Sequence, residues 1–303
     1  MSRPSARDLA VGKWPGILEG LGIDRGLLTG RHTRCPICKE GKDRFRFDDL
    51  DGKGTFFCSK CGAGDGFDLA MRATGREFLD VAQEVEKLAP TVPKVRTAAR
   101  RLVSGKALQR LWLEARPLAD GDAVTAYLSG RRLPIPFGCK VLRCHPSLAY
   151  RDGDKQVIGH FPAMLAAFQA PDGTTTAIAR TFLGNGPKGK APVPEAKKNL
   201  GAMGNGGAVR LFPVAPVLGV AEGVESALKA AEIFDMPVWA TISAHGMETF
   251  LPPAGVEEVW FLGDRDSSFT GQKAAYTGAF RLHAKGYRAQ VRLPSTTDMD
   301  WAD

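Results

Sequence analysis

The sequence predicts a fold of mixed α+β and α/β class that ends in a parallel sheet flanked by helices. Short apolar runs at 216–221, 238–242 and 259–263 alternate with stretches of helical spacing, and this pattern is typical of strand–helix units. Ahead of these units lie four closely grouped cysteines and a region that mixes helical and β-type patterns. We therefore expect a small cysteine-bearing module, a mixed α+β middle subdomain and the parallel sheet.

Length and composition narrow the class of protein. The chain has 303 residues, enough for about two domains, and its 44% apolar and 24% charged residues are ordinary for a globular protein. No apolar run approaches the roughly 20 residues that span a bilayer, and the first residues lack a signal-peptide core. We therefore expect a cytoplasmic protein with no membrane contact. The net charge of +8 favours a polyanionic partner.

The first element with clear chemistry is the cysteine group, which follows a predicted short helix from Trp14. Cys35 and Cys38 form one Cys-x-x-Cys unit, and nineteen residues later Cys58 and Cys61 form another. Four thiolates at this spacing match a tetrahedral structural Zn²⁺ site that has no open position for catalysis. The sequence thus predicts a zinc ribbon over residues 31–66, with His32 as the alternative ligand.

The residues between the two cysteine pairs predict a β-hairpin. Within residues 43–48, arginine and phenylalanine alternate with a period of two from Arg44 to Phe47, and residues 54–58 supply a returning strand. Arg44 and Arg46 are therefore candidate contacts to a nucleic-acid backbone. Three phenylalanines of the hairpin either stack on unpaired bases or form the small core of the ribbon, namely Phe45, Phe47 and Phe57.

The segment from Cys35 to Leu69 resembles the zinc-binding domain of primases from satellite phages and mobile elements. The resemblance implies that the ribbon precedes a toprim-type catalytic core and helps to choose the initiation site on template DNA. A helical pattern over 67–88 is expected to close this domain, which we place at 1–90. Residues 91–100 are expected to form a basic linker.

Residues 101–213 are predicted to form the amino-terminal part of the catalytic core, with helical patterns first and a β-rich stretch after them. Cys139 and Cys144 are interpreted as reduced structural thiols. The basic, glycine-rich stretch that follows resembles the segment of bacterial replicative primases leading into toprim. That resemblance implies substrate-binding roles for Arg180 and Lys198, and we include the adjacent Lys197. A solvated loop is the alternative for the lysines.

Three carboxylates are predicted to meet at one edge of the parallel sheet. Glu222 ends the first apolar run, and Asp264 and Asp266 end the third. Functional groups in such sheets lie beyond the carboxyl ends of the strands, and clustered carboxylates suit a hard cation such as Mg²⁺. The sequence therefore predicts a divalent-metal site formed by these three residues.

The sequence around these acids also resembles the toprim domain, which we place at 214–303. Glu222-Gly223 after a first strand and Gly263-Asp264-Arg-Asp266 after a third match its motifs, and the family implies one or two Mg²⁺ or Mn²⁺ ions where phosphodiesters are made or broken. Residues 298–303 resemble the family's terminal Asp-Trp-Asn-Asp, with Ala302 in place of asparagine. Asp300 is our choice for a further catalytic acid, and Asp298 is the second.

A zinc ribbon followed by toprim indicates a DNA primase, a nucleotidyltransferase that makes short RNA primers on single-stranded DNA during phage, plasmid or mobile-element replication. The implied partners are single-stranded DNA, nucleoside triphosphates and a replicative helicase, acting in trans or in a missing carboxy-terminal region, since the sequence has no Walker-type motif. A toprim nuclease and a non-catalytic DNA-binding adaptor remain alternatives. A topoisomerase would need a positioned tyrosine nucleophile and more chain.

Overall fold

The computed structural model describes residues 4–58, 60–95, 105–153, 155–184, 186 and 189–302. The chain divides into two compact units, Met1–Arg101 and Leu102–Asp303. Residues 96–100 of the predicted linker, together with Asp303, lie outside the described residues. Among the described residues, no helix is both long enough and apolar enough to cross a membrane.

Nine α-helices lie in the described ranges. They are α1 (Ala6–Ala10), α2 (Trp14–Gly20), α3 (Gly66–Thr74), α4 (Phe78–Leu88), α5 (Gly105–Glu114), α6 (Ala123–Gly130), α7 (Val224–Phe234), α8 (Ala244–Thr249) and α9 (Thr270–His283).

Thirteen strands lie in the same ranges and form three sheets. They are β1 (His32–Thr33), β2 (Phe45–Phe47), β3 (Phe56–Cys58), β4 (Gly62–Gly64), β5 (Arg116–Pro117), β6 (Leu142–Arg151), β7 (Val157–Gln169), β8 (Thr175–Phe182), β9 (Lys197–Gly201), β10 (Val217–Ala221), β11 (Val238–Ala240), β12 (Glu258–Leu262) and β13 (Arg288–Arg292).

The first unit is built on an antiparallel sheet in the order β1-β2-β3-β4, with helices packed on one face. Phe45 and Phe47 alternate inward along β2 and are buried, which settles their role as core residues. Trp14 of α2 packs edge-on against Phe67 of α3 with ring centroids 4.9 Å apart. The lead-in helix and the zinc ribbon therefore share one core.

The prediction of a single helix over 67–88 is wrong. α3 ends at Thr74 because Gly75 adopts the left-handed conformation, with φ of 70°, and its amide caps the carbonyl of Met71. Glycine reaches this conformation without a Cβ penalty and commonly ends helices. α4 then begins at Phe78, so two helices close the module.

The second unit contains an antiparallel meander and a parallel sheet. The meander runs in the order β5-β6-β7-β8-β9, and one face packs around Tyr150 and Phe182, whose ring centroids are 5.0 Å apart. The parallel sheet has the order β11-β10-β12-β13. The expected combination of a zinc ribbon, a mixed middle region and a helix-flanked parallel sheet is thereby confirmed.

The register of the parallel sheet decides where the acids lie. Ala221, the last residue of β10, pairs with Leu262, the last residue of β12. Glu222 follows the first of these directly, and Asp264 follows the second after one glycine. Because parallel strands end at the same edge, both acids leave the sheet side by side.

Candidate active site and zinc cluster

Asp264 has the strongest electrostatic perturbation at the strand edge. Burial and the nearby carboxylates of Glu222, Asp300 and Asp266 raise the pKa of Asp264 to about 7, and Lys197 opposes the rise. Within the described part of the chain, no hydrogen-bond donor reaches the buried Oδ1 atom of Asp264. A carboxylate oxygen that is buried, repelled and unsatisfied fits a divalent cation as its partner.

Glu222 shares this environment. Burial raises the pKa of Glu222, the charge of Asp266 adds to the rise, and Lys197 lowers it. The carboxyl group therefore holds a proton more readily than an exposed glutamate does. The side chain borders the same pocket as Asp264.

Asp266 differs from Asp264 because helix α9 already engages its carboxylate. Its Oδ1 accepts hydrogen bonds from the Ser268 hydroxyl at 2.5 Å and from the Thr270 amide at 3.0 Å, and its Oδ2 accepts from the Gly271 amide at 2.8 Å. Burial opposes ionisation, but these donors outweigh it and hold the pKa of Asp266 below its ordinary value. Asp266 is thus both a helix cap and a neighbour of the acid cluster.

The two candidate acids near the carboxyl terminus occupy different places. Asp300 borders the pocket of Glu222 and Asp264, and its charge acts on Asp264. The Oδ1 of Asp298 instead accepts a hydrogen bond from the Ser267 amide at 2.8 Å. Asp298 therefore stabilises the loop after the Asp-x-Asp pair, whereas Asp300 lies at the pocket with Glu222 and Asp264.

A buried carboxylate that the sequence analysis missed holds Lys197 beside these acids. Glu225, in the first turn of α7, is only 3% exposed and lies 3.1 Å from Lys197 Nζ. Its other oxygen accepts a hydrogen bond from the Tyr127 hydroxyl of α6 at 3.0 Å. Burial opposes its ionisation, but Lys197, a backbone amide and Lys190 hold the pKa of Glu225 below its usual range.

Within this network, Glu225 is held in its ionised form and Tyr127 in its protonated form. Burial and the charge of Glu225 raise the pKa of Tyr127 to about 12, so the phenol remains a hydrogen-bond donor at neutral pH. Burial and the charge of Lys197 lower the pKa of Lys190. The signal in the sequence was a glutamate placed among small and apolar residues, Gly223-Val-Glu-Ser-Ala-Leu228.

Arg180 and Lys198 do not join this cluster through their charged groups. They pair across β8 and β9, so their side chains project from the face opposite Lys197. Lys198 Nζ donates to the Arg151 carbonyl at 2.6 Å and lies 4.3 Å from the centre of the Tyr150 ring. The Arg180 guanidinium donates to the Asn199 carbonyl at 3.2 Å, although the residue also borders the pocket.

The pocket that joins these groups has a volume of about 270 Å³ and a largely polar lining. Four acids and two basic residues contribute to it, namely Glu222, Glu225, Asp264, Asp300, Lys197 and Arg180. This arrangement combines oxygen ligands for a divalent cation with a positive charge for a phosphate group.

The four cysteines of the first unit form one cluster. Their sulfur atoms all lie within 4.8 Å of one another, and the Sγ atoms of Cys35 and Cys61 are 3.9 Å apart. Zinc–sulfur bonds of about 2.3 Å in a tetrahedron place the sulfurs about 3.8 Å apart, so this spacing fits. The cluster supports a structural zinc site, and His32 instead uses its Nδ1 to contact the Asp43 carbonyl.

The predicted DNA-binding arginines lie beside acids of their own hairpin. Arg46 forms a bidentate pair with Asp48, at 2.6 and 3.1 Å, and Arg44 lies 3.5 Å from Glu40. Phe57 pairs directly with Arg46 across the sheet and is 47% exposed, unlike the other three phenylalanines of the hairpin, which are buried. The outer face of the ribbon thus presents an aromatic ring next to a guanidinium.

Three parts of the chain match known family models. Residues 30–67 match the zinc-binding domain of primase-helicase, and residues 217–303 match the toprim domain. Residues 103–211 match a family described as a domain of unknown function.

Several solved structures are similar to this chain. The primase fragment of the bacteriophage T7 primase-helicase protein is 15% identical, with a TM-score of 0.42, 90% of this chain covered and 92% of that chain covered. A DNA primase domain from Pseudomonas aeruginosa is 14% identical, with a TM-score of 0.44 and coverage of 65% and 72%. The zinc-binding and RNA polymerase domains of the Aquifex aeolicus primase are 14% identical, with a TM-score of 0.40 and coverage of 99% and 81%. By its family matches, the chain carries a zinc-binding domain of the primase-helicase kind together with a toprim domain.

Proposed function

We propose that this protein synthesises short oligonucleotide primers on single-stranded DNA by metal-dependent nucleotidyl transfer. The observation that carries the proposal is the convergence of Glu222, Asp264, Asp300 and Lys197 on one pocket in a chain that also has a primase-type zinc ribbon. Primer synthesis joins the 3′-hydroxyl of one nucleotide to the α-phosphate of the next and releases pyrophosphate. Negative charge accumulates during this transfer, and the pocket contains groups of the type needed to offset it.

The acids supply the metal site in this proposal. Asp264 and Asp266 would hold Mg²⁺ or Mn²⁺, with Glu222 as a further ligand, and Asp300 supports the cluster. The buried, unsatisfied oxygen of Asp264 is the feature that fits this role. A bound divalent ion supplies charge stabilisation for the attacking and leaving oxygens.

The remaining groups of the pocket bind and orient the reactants. Glu222, if it is not a ligand, takes the proton of the attacking hydroxyl, and its raised pKa makes it a stronger base than an exposed glutamate. Lys197 is half-exposed and is held at the pocket by Glu225, so its ammonium group is free on one side to pair with the triphosphate. Arg180 and Lys198 would contact the nucleic-acid backbone on the other face of the meander.

The zinc module is proposed to select where synthesis starts. Phe57 offers a face for stacking on an unpaired base, and Arg44 and Arg46 offer charges to the backbone once they leave their carboxylate partners. Zinc itself has a structural role because four cysteines leave no open coordination position. A replicative helicase is the proposed partner, and the phage or mobile-element setting stays a prediction.

The test is a direct assay of synthesis. Full-length protein is incubated with single-stranded DNA, labelled nucleoside triphosphates and Mg²⁺ or Mn²⁺, and the products are separated by size. Short, template-dependent labelled products support the proposal. Shortening of the template identifies a nuclease, and binding with neither product identifies a non-catalytic adaptor; either result overturns the proposal.

A further inference from the structure

The outer face of helix α9 carries a row of exposed aromatic side chains. Phe269, just before the helix, is 70% exposed, Tyr276 is 59% exposed and Phe280 is 76% exposed. Tyr276 and Phe280 are four residues apart and lie on one stripe of the helix, and Phe269 lies immediately before its first turn. Exposed apolar patches of this kind mark binding surfaces more often than ordinary solvent-facing positions do.

The opposite face of α9 is fixed to the sheet, so the stripe cannot turn inward. Ala274, Ala275, Gly278 and Leu282 are buried against the parallel sheet. A Cβ on Gly278 would collide with the Phe261 ring of β12, which shows how closely the helix approaches. The aromatic rings therefore have no place in the core of this unit.

The stripe borders a groove that reaches Asp266. The groove has a volume of about 770 Å³, and its lining includes Asp266, Phe269 and Tyr276. Asp266 belongs to the Asp-x-Asp pair, so the groove includes one acid of the proposed catalytic centre. At about 1.5 Å per residue, the helix rises about 15 Å from Thr270 to Phe280, enough for several nucleotides.

Two cations accompany the rings. Arg265 and Lys273 border the groove. Lys273 lies 3.3 Å from Glu248 but its side chain is 74% exposed, and Arg265 donates to the Ser295 carbonyl at 3.3 Å. Aromatic faces beside cationic side chains are complementary to the bases and phosphates of a single strand.

We propose that this surface, defined by Arg265, Phe269, Lys273, Tyr276 and Phe280, binds single-stranded DNA as it passes the acid cluster. The bases stack on the rings, and the phosphates pair with Lys273 and Arg265. A role for this surface in primer synthesis rests on the proposed function. Binding of single-stranded DNA to α9 can be tested without any assay of synthesis.

The test compares DNA binding by full-length variants in a buffer without nucleotides or magnesium. Affinity for a fluorescently labelled oligothymidylate is measured by anisotropy for the wild type and for the Tyr276→Ala, Phe280→Ala double variant. Loss of base stacking should weaken binding about tenfold or more. Tyr276→Phe keeps the ring and should bind normally, as should Phe137→Ala, which removes a 57% exposed phenylalanine that borders neither pocket.

A second measurement maps the contact. Photocrosslinking to bromodeoxyuridine-containing DNA should label a peptide from residues 265–285 in the wild type and lose that label in the double variant. Lys273→Ala should reduce the dependence of log affinity on log salt by about one unit.

Three results would overturn the inference. The first is unchanged DNA affinity of the double variant, and the second is the absence of crosslinks on α9. The third is a change in the oligomeric state of the double variant with unchanged DNA affinity, which would identify the stripe as an interface between copies of the chain. Because the assay needs no synthesis, loss of binding in the double variant supports the surface even if the wild type makes no primers. Primer synthesis with unaffected binding would refute the surface alone.

Discussion

Replacing Asp264 with asparagine should stabilise the magnesium-free protein, and the gain should grow with pH. In the folded state the pKa of Asp264 is raised from 3.8 to about 7, chiefly by burial and then by Glu222 and Asp300. Between these two values the unfolded chain loses its proton while the folded chain keeps it. The free energy of unfolding of the wild type therefore falls as pH rises from about 4 to 7.

The size of this effect follows from the shift. A difference of about three pKa units corresponds to an upper limit of about 4 kcal/mol at pH 8, since one unit is about 1.4 kcal/mol. The asparagine side chain of the variant cannot ionise, so the substitution removes this penalty. At pH 5 the expected gain shrinks to less than half of the value at pH 8, because most of the wild type is still protonated in the folded state.

The assay is chemical denaturation followed by tryptophan fluorescence, with zinc retained and magnesium left out. Four of the five tryptophans lie within residues 102–303, so the signal reports the second unit. Asp266→Ala is the matched control because it removes the cap of α9 and should lower stability by about 1 kcal/mol. A wild type that is as stable as the Asp264→Asn variant at pH 8, or a variant that loses stability there, would refute the electrostatic reasoning.

Three further predictions concern the groups around the pocket and the ribbon. Glu225→Gln should lower the free energy of unfolding by about 1.5–3 kcal/mol at neutral pH, since Lys197 loses a charge-assisted bond. Because the pKa of Glu225 is lowered by folding, the difference from wild type should narrow as pH falls below the ordinary range of a glutamate, and a pH-independent difference would contradict the ion pair. Arg44→Ala combined with Arg46→Ala should reduce template-dependent initiation more than extension of a supplied primer, and equal losses would argue against site selection. Cys58→Ser should bring the zinc content well below one per chain and unfold the first unit, as followed by metal analysis and proteolysis, because zinc binding is coupled to folding; a full complement of zinc would count against the four-cysteine site.

The sequence predicted the parallel sheet and the meeting of Glu222 with Asp264 because both depend on local patterns. Apolar runs define the strands, and strand ends in a parallel sheet share one edge. The break at Gly75 was missed because a glycine inside a helical pattern is often tolerated, and only the backbone conformation shows that it ends the helix.

The roles of the basic residues were harder to predict, because a shift of one position along a strand moves a side chain to the opposite face of the sheet. Lys197 and Lys198 are neighbours in β9, yet they project from opposite faces, and only Lys197 reaches the acids. Glu225 was missed because its importance comes from the packing of α6 against α7, which brings Tyr127 to it across 98 residues of sequence. Long-range packing of this kind leaves little trace in a local pattern.

Asp264 is the residue on which the proposed catalytic metal site depends most directly. The decisive measurement is template-dependent primer synthesis by the wild type and by the Asp264→Asn variant, at matched protein concentration, with single-stranded DNA binding measured in parallel. We expect incorporation to fall by orders of magnitude, since several kcal/mol of charge stabilisation are lost and about 1.4 kcal/mol is a factor of ten, while DNA binding is retained. Near-normal synthesis by the variant, accompanied by a lower melting temperature, would show that Asp264 serves the fold alone and would contradict the catalytic assignment.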